Sequence, residues 1–150
     1  MISWLLLPFN KLSTTQLYGL IKLRVDVFVV EQNCPYPELD GKDNLDEVRH
    51  LLGISKGEIV ACARLLPAGV TYENVSIGRI ATKETARGNG LGHQLLDKAL
   101  KQSENLWPGQ TIDIGAQQHL QLFYQGHGFK PISAMYLEDG IPHIDMRLTK

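Results

Sequence analysis

Arg87, Gly88, Asn89, Gly90, Leu91 and Gly92 read RGNGLG, and an apolar period of helical spacing follows them. Amides at a helix start carry partial positive charge and attract anions. Glycine lets an oxyanion approach the backbone without meeting a Cβ, and arginine adds a fixed positive charge. The strip therefore suits a phosphate or a pyrophosphate. A P-loop would need a Lys and a Ser or Thr behind its last glycine, and none follows Gly92. A dinucleotide fingerprint counted from Gly88 places His93 where a third glycine belongs. The spacing R-x-x-G-x-G, taken as Arg87, Gly90 and Gly92, fits without exception. An ordinary glycine-rich turn is the plainer alternative.

The elements that must position this strip can be read along the chain. Its 150 residues suit one domain with a proper core. SWLLLPF reads as a buried strand. STTQLYGLIKLRVDVFVVEQ opens on a cap signal at Ser13 and Thr14, and Leu17, Leu20, Ile21, Arg24 and Phe28 then recur at helical spacing. NCPYPELDGKDNLDEV has no apolar period and reads as a loop. RHLLGIS and IVACARLL form a hairpin about KGE, and VSIGRIAT is a further strand. Leu91, Leu95, Leu96, Ala99 and Leu100 give one helix face, which Pro108-Gly109 ends. QTIDIGA is a strand, HLQLFYQGHG a short helix, and KPISAMYL and PHIDMRL a last hairpin about EDG. The order β-α-β-β-β-α-β-α-β-β makes an α/β fold, a mixed sheet with helices on its faces.

Composition excludes several functions. A formal net charge of -1 argues against a nucleic-acid partner, which demands a basic face. No apolar run approaches the roughly 20 residues that span a bilayer, so no membrane partner is expected. MISWLLLPFNK lacks a basic leader and a cleavage site. Cys34 and Cys62 form no C-x-x-C, which points to a reducing, cytoplasmic setting. His93, His119, His127 and His143 show no ligand spacing, and Asp40, Asp43 and Asp46 miss the calcium-loop pattern, so no metal site is read. Arg24 on an apolar helix face implies a buried salt bridge to the acidic loop, with a substrate carboxylate as the alternative.

The R-x-x-G-x-G spacing resembles the pyrophosphate motif of the GNAT superfamily, acyltransferases that use acetyl-CoA. LFYQGHGF, Leu122 to Phe129, is similar to that superfamily's late motif, a helix tyrosine followed by Gly-Phe. The element order is that of the GNAT fold. LRVDVFVVEQNCPYPELDGKDNLDEVRHL resembles its ElaA-type branch of small bacterial proteins. The resemblance implies an N-acetyltransferase that moves the acetyl group of acetyl-CoA to a primary amine of a small molecule or protein. It implies that Ile80, Ala81 and Thr82 pair their backbone with the pantetheine arm, the Ala81 amide facing the acetyl oxygen. Arg87 and the amides of residues 88–92 would take the pyrophosphate. Gln117 stands where many members carry Asn against the pantetheine.

Acetyl transfer also needs an acid and a base. A phenol, with a reference pKa of about 10, keeps its proton at neutral pH and can give it to a departing thiolate; the motif's position nominates Tyr124. For the base, Glu31 at the end of the first helix and His50 opening a strand are the catalytic candidates. Glu38, Asp40 and Asp43 are further candidates, as is an ordered water chain. Glu38, Asp40, Asp43, Asp46 and Glu47 against Lys42 alone would also favour a cationic amine acceptor. Two other functions compete. LRVDVF, ELDGKD and ARLLP resemble the amino-terminal half of acyl-homoserine lactone synthases, although Ser76 replaces the acid those enzymes carry three residues before Arg79. A non-catalytic acyl-CoA-binding module is the other. Exposed edge strands would allow a homodimer.

Overall fold

A computed structural model describes all 150 residues. The elements are β1 (Ser3–Pro8), α1 (Thr14–Val25), β2 (Arg49–Ser55), β3 (Glu58–Leu66), β4 (Val75–Thr82), α2 (Leu91–Leu106), β5 (Ile112–Gln117), α3 (Gln121–Gln125), β6 (Lys130–Pro131), β7 (Tyr136–Glu138) and β8 (Ile141–Leu148). One sheet runs β1-β2-β3-β4-β5-β8-β6, with β7 also paired to β8. Every pairing is antiparallel except β4 with β5, which α2 links by crossover. This is the expected mixed α/β sheet.

The two faces of the sheet carry separate cores. Leu91, Leu95, Leu96 and Ala99 of α2 pack with Ile77, Ile112, Ile114, Ala116, Tyr124 and Met146 on one face. On the other, Leu20, Leu23 and Val27 of the first helix cover Leu52, Cys62 and Ala81. In a strand alternate side chains point to opposite faces. Gly115 and Gln117 of β5, and His143 and Asp145 of β8, therefore lie on the face away from α2.

Helix α1 opens on a full capping box: Ser13 Oγ accepts from the Gln16 amide, and Gln16 Oε1 from the Ser13 amide. It does not continue as a regular α-helix to Gln32. Asp26–Glu31 is wound as a π-helix, closed by the Cys34 amide on the Val29 carbonyl at 3.0 Å. Such a segment is under-wound and re-aims the side chains beyond it. The buried stripe accordingly runs Leu20, Leu23, Arg24 and Val27, while Phe28, Glu31 and Gln32 turn to a cleft.

The last hairpin also departs from expectation. KPISAMYL is not one strand but two short ones, β6 and β7. The Asp145 amide donates to Ser133 Oγ, and the Ile132 amide to the Asp145 carbonyl, so Ser133–Met135 bulges out between them. No helix is long and apolar enough to cross a membrane.

Candidate active site

Strands β4 and β5 start as partners and then part. Their ladder holds only Val75↔Ile112 and Ser76↔Asp113. Beyond it, residues 77–82 and 114–117 diverge. A bulge in β4 drives this: Cys62 faces Ala81 and Arg64 faces Gly78, so an extra residue is accommodated there, and Arg79 takes φ 49°. The gap is the floor of a cleft of about 610 Å³. Ile80, Ala81, Thr82, Arg87, Gln117 and Tyr124 all line it, as does Glu31.

The glycine strip stands at one end. Gly90 is the N-cap of α2 with φ 74°, and Gly88 has φ 106°. A Cβ at either would meet nothing within 4 Å, so backbone conformation and an open approach, not crowding, ask for glycine there. Gly92 lies inside the helix, where a Cβ would make only ordinary contact with Phe123 at 3.7 Å. Gly88, Asn89 and Gly90 are exposed, and the first amides of the 16-residue α2 face outward for an anion.

Arg87 is engaged within the chain. Its Nη1 and Nη2 donate to the two oxygens of Glu31 at 2.7 and 2.9 Å, and Nη2 also to the Thr82 carbonyl at 2.7 Å. It thus ties the end of β4 to the end of the first helix. The same pair lowers the pKa of Glu31, through the Arg87 hydrogen bonds first. While Arg87 holds both of its oxygens, Glu31 is not a free base.

The expectation for the Ala81 amide is corrected. Lys83 N donates to Val60 O of β3, so by alternation the Ala81 amide also turns toward β3, where it meets Cys62. Thr82 turns the other way, its carbonyl held by Arg87. The amides on the open edge of β4 are those of Ile80 and Thr82. Gln117 exchanges amide hydrogen bonds with Gln32 of the opposite wall, at 3.2 and 3.4 Å.

His50 does not line the cleft. It is 1% exposed, with Nε2 2.9 Å from the Asp43 carbonyl, and burial lowers its pKa. A ring sealed from the cleft cannot reach an amine there, so the base is not His50. The acidic loop is also spent internally. Arg24 donates to Glu38 at 2.6 Å and Asp43 at 2.7 Å; Asp43 accepts from Arg64, Arg64 donates to Asp40, Asp40 accepts from Arg79, and Arg79 returns to Glu38. Three arginines and three carboxylates close a ring. The salt bridge expected of Arg24 is present, but Glu38, Asp40 and Asp43 are neutralised and neither serve as free bases nor draw cations.

Tyr124 is 6% exposed and burial alone pushes its pKa up to about 12. Its phenol thus holds a proton throughout the neutral range while lining the cleft.

Sequence reasoning passed over Gln32, Tyr72, Ser76 and His143, all of which line the cleft. Ser76 is 2% exposed and its Oγ has no partner. The alternation of PHIDMRL carried a signal for His143, since it puts His143 and Asp145 on one face.

A sheet parted beside a glycine-led helix start is the architecture of acyl-CoA N-acyltransferases. Residues 38–150 match the acetyltransferase (GNAT) domain, and the chain belongs to that family. It is 49% identical to Protein ElaA of Escherichia coli (strain K12) over 146 residues, 97% of this chain and 95% of that protein. The crystal structure of Escherichia coli ElaA matches with a TM-score of 0.92 at 48% identity, covering 98% of this chain and 99% of that one. An acyl-CoA N-acyltransferase from Pseudomonas aeruginosa matches with a TM-score of 0.93 at 43% identity, with the same coverage. The AHL synthase LasI matches with a TM-score of 0.80 at 16% identity, covering 99% of this chain and 89% of that one, a likeness of fold alone.

Proposed function

We propose that this GNAT acyltransferase moves the acetyl group of acetyl-CoA to a primary amine of a small molecule or protein, by direct attack, with Tyr124 as general acid. The observation that carries the reading is Tyr124, a phenol kept protonated by burial and set on the gap between β4 and β5. The pyrophosphate would lie on the amides of residues 88–92, with Arg87 turning from Glu31 to meet it. The pantetheine arm would pair with the open edge of β4, through Ile80 and Thr82, and displace the Gln32–Gln117 contact. Acetyl-CoA supplies the activated acyl group; the chain binds, orients and protonates. Two buried, unpaired thiols, Cys34 and Cys62, suit a reducing cytoplasm.

The test is a panel of amines offered with acetyl-CoA while free thiol is followed. Turnover with at least one amine, abolished or strongly slowed in Tyr124→Phe, supports the reading. Binding of CoA without turnover of any amine would leave a binding module.

A further inference from the structure

We propose that His143 is the general base that takes the acceptor amine's proton, approaching the thioester from the face of the sheet opposite Tyr124. This rests on the acetyltransferase reading above and names the group it leaves open.

Placement comes first. His143 pairs with Gln117 across the β5–β8 ladder, so the two share a face, and both line the cleft. That face is the one away from α2. Tyr124 belongs to the core on the α2 face, packed with Ile114 and Ala116. Acid and base thus reach the same gap from its two sides, so one can serve the attacking nitrogen while the other serves the departing sulfur. The His143 face is polar: Ser76, with its unpartnered hydroxyl, Gly78 and Gly115 line it.

The tautomer comes next. His143 Nδ1 lies 2.8 Å from the Ile141 carbonyl. A carbonyl only accepts, so Nδ1 carries the hydrogen and Nε2 carries the lone pair. The ring is 8% exposed and stacks on Tyr136 at 6.0 Å, which holds its plane. Nε2 is 3.4 Å from Glu138 Oε2, whose side chain is 62% exposed. A proton taken at Nε2 therefore has a carboxylate relay to solvent. The other titratable groups about this end are Asp139 of the β7–β8 turn, His119 before α3, Tyr124, and Cys34, whose Sγ donates to the Asp139 carbonyl. Asp145 on β8 is occupied by Tyr72 and Tyr136.

In the step, the amine nitrogen attacks the thioester carbon and forms the C–N bond while its proton passes to Nε2. The C–S bond then breaks, sulfur leaves with the electron pair, and the Tyr124 proton goes to it. Glu138 carries the first proton to solvent, and water restores the phenol.

The test uses the full chain, acetyl-CoA and the best amine of the panel, with kcat/KM followed against pH. His143→Asn keeps a donor for the Ile141 carbonyl but has no base. It should lose about 10²–10⁴-fold in kcat/KM, the usual worth of a positioned base, with KM for acetyl-CoA unchanged. The acidic limb due to the enzyme should disappear; the amine's own titration is common to all variants and cancels in the ratio to wild type. Glu138→Gln leaves the imidazole but removes the carboxylate that takes the proton on, so kcat/KM should fall with KM for acetyl-CoA unchanged. A folded His143→Asn enzyme within about threefold of wild type, with its limb intact, overturns the proposal. If His143→Asn does not fold, Glu138→Gln decides alone, and an unchanged kcat/KM overturns it. A wild type that acetylates no amine overturns the acetyltransferase reading, and the base with it; a wild type that does so while either variant gives those contrary results overturns the base only.

Discussion

The proposed acid is a single phenolic hydrogen, and Tyr124→Phe removes it while keeping the ring that packs against Phe129 and Phe123. The expected outcome is a fall in kcat of about 10²–10⁴, with the Kd for CoA by calorimetry unchanged. Because burial takes the phenol to about 12, the wild-type kcat should show no basic limb up to about pH 10. A limb near neutrality would mean that another group gives the proton. Arg87 makes a different point at this scale. The residue with the correct type and spacing for a phosphate is held by a carboxylate, Glu31, across the cleft mouth. On the proposed reading a pyrophosphate displaces that partner, and its extra charge favours the exchange.

At the scale of elements, the site is a consequence of two irregularities. The β4 bulge at Arg79 parts the sheet, and the π-wound end of the first helix turns Phe28, Glu31 and Gln32 over the gap. The start of α2 closes the arrangement, and there the demand for glycine is conformational. Gly90→Val puts a β-branched residue at φ 74°, a strain of about 1–3 kcal/mol, and lays its methyls over the anion-facing amides. CoA affinity should drop by about tenfold or more, measured by calorimetry on protein shown to be folded by circular dichroism. Gly92→Ala, at an ordinary helical position, should bind CoA nearly as wild type does. Equal affinity in Gly90→Val would remove the glycine strip from the binding site.

The whole molecule is organised about the ring of Arg24, Glu38, Arg79, Asp40, Arg64 and Asp43, which clamps the loop after the first helix onto β3 and β4. Removing one partner of a buried pair strands the other, so Arg24→Ala should cost about 3–5 kcal/mol in a denaturant melt. The ring also decides charge steering. With these carboxylates matched by arginines, the preference between a diamine and glutamate should not fade with salt, and Asp40→Asn/Asp43→Asn should lower stability without exchanging that preference. The pH dependence of stability follows from the same groups. Burial raises the pKa values of Asp40 and Asp43, but their arginine hydrogen bonds and charges outweigh it and leave the folded values below the ordinary ones. Their contribution is therefore full above the unfolded value of about 3.9 and is lost as the pH falls below it. Burial lowers His50 as well, so a smaller loss should begin as the pH drops through about 6.5, where the unfolded histidine charges. Thermal melts should show both steps, the upper one missing in His50→Gln.

The glycine strip, Tyr124, the order of the elements and the tie between Arg24 and the acidic loop were legible in the sequence. Each is written within a few residues, as a spacing, a period or a buried charge that must find a partner. The assignment of partners was not. Glu38 meets Arg79 at a separation of 41 residues, Glu31 meets Arg87 at 56, and Gln32 meets Gln117 at 85. Which acid stays free, which histidine faces the cleft, and which β4 amide points into it all depend on strand register and on the bulge at Arg79. A shift of one residue turns a side chain or an amide to the other side. Residue types therefore suggested the chemistry, and only the tertiary structure seals His50 away from the cleft and sets His143 on it, because strand register and the bulge decide which face each side chain takes.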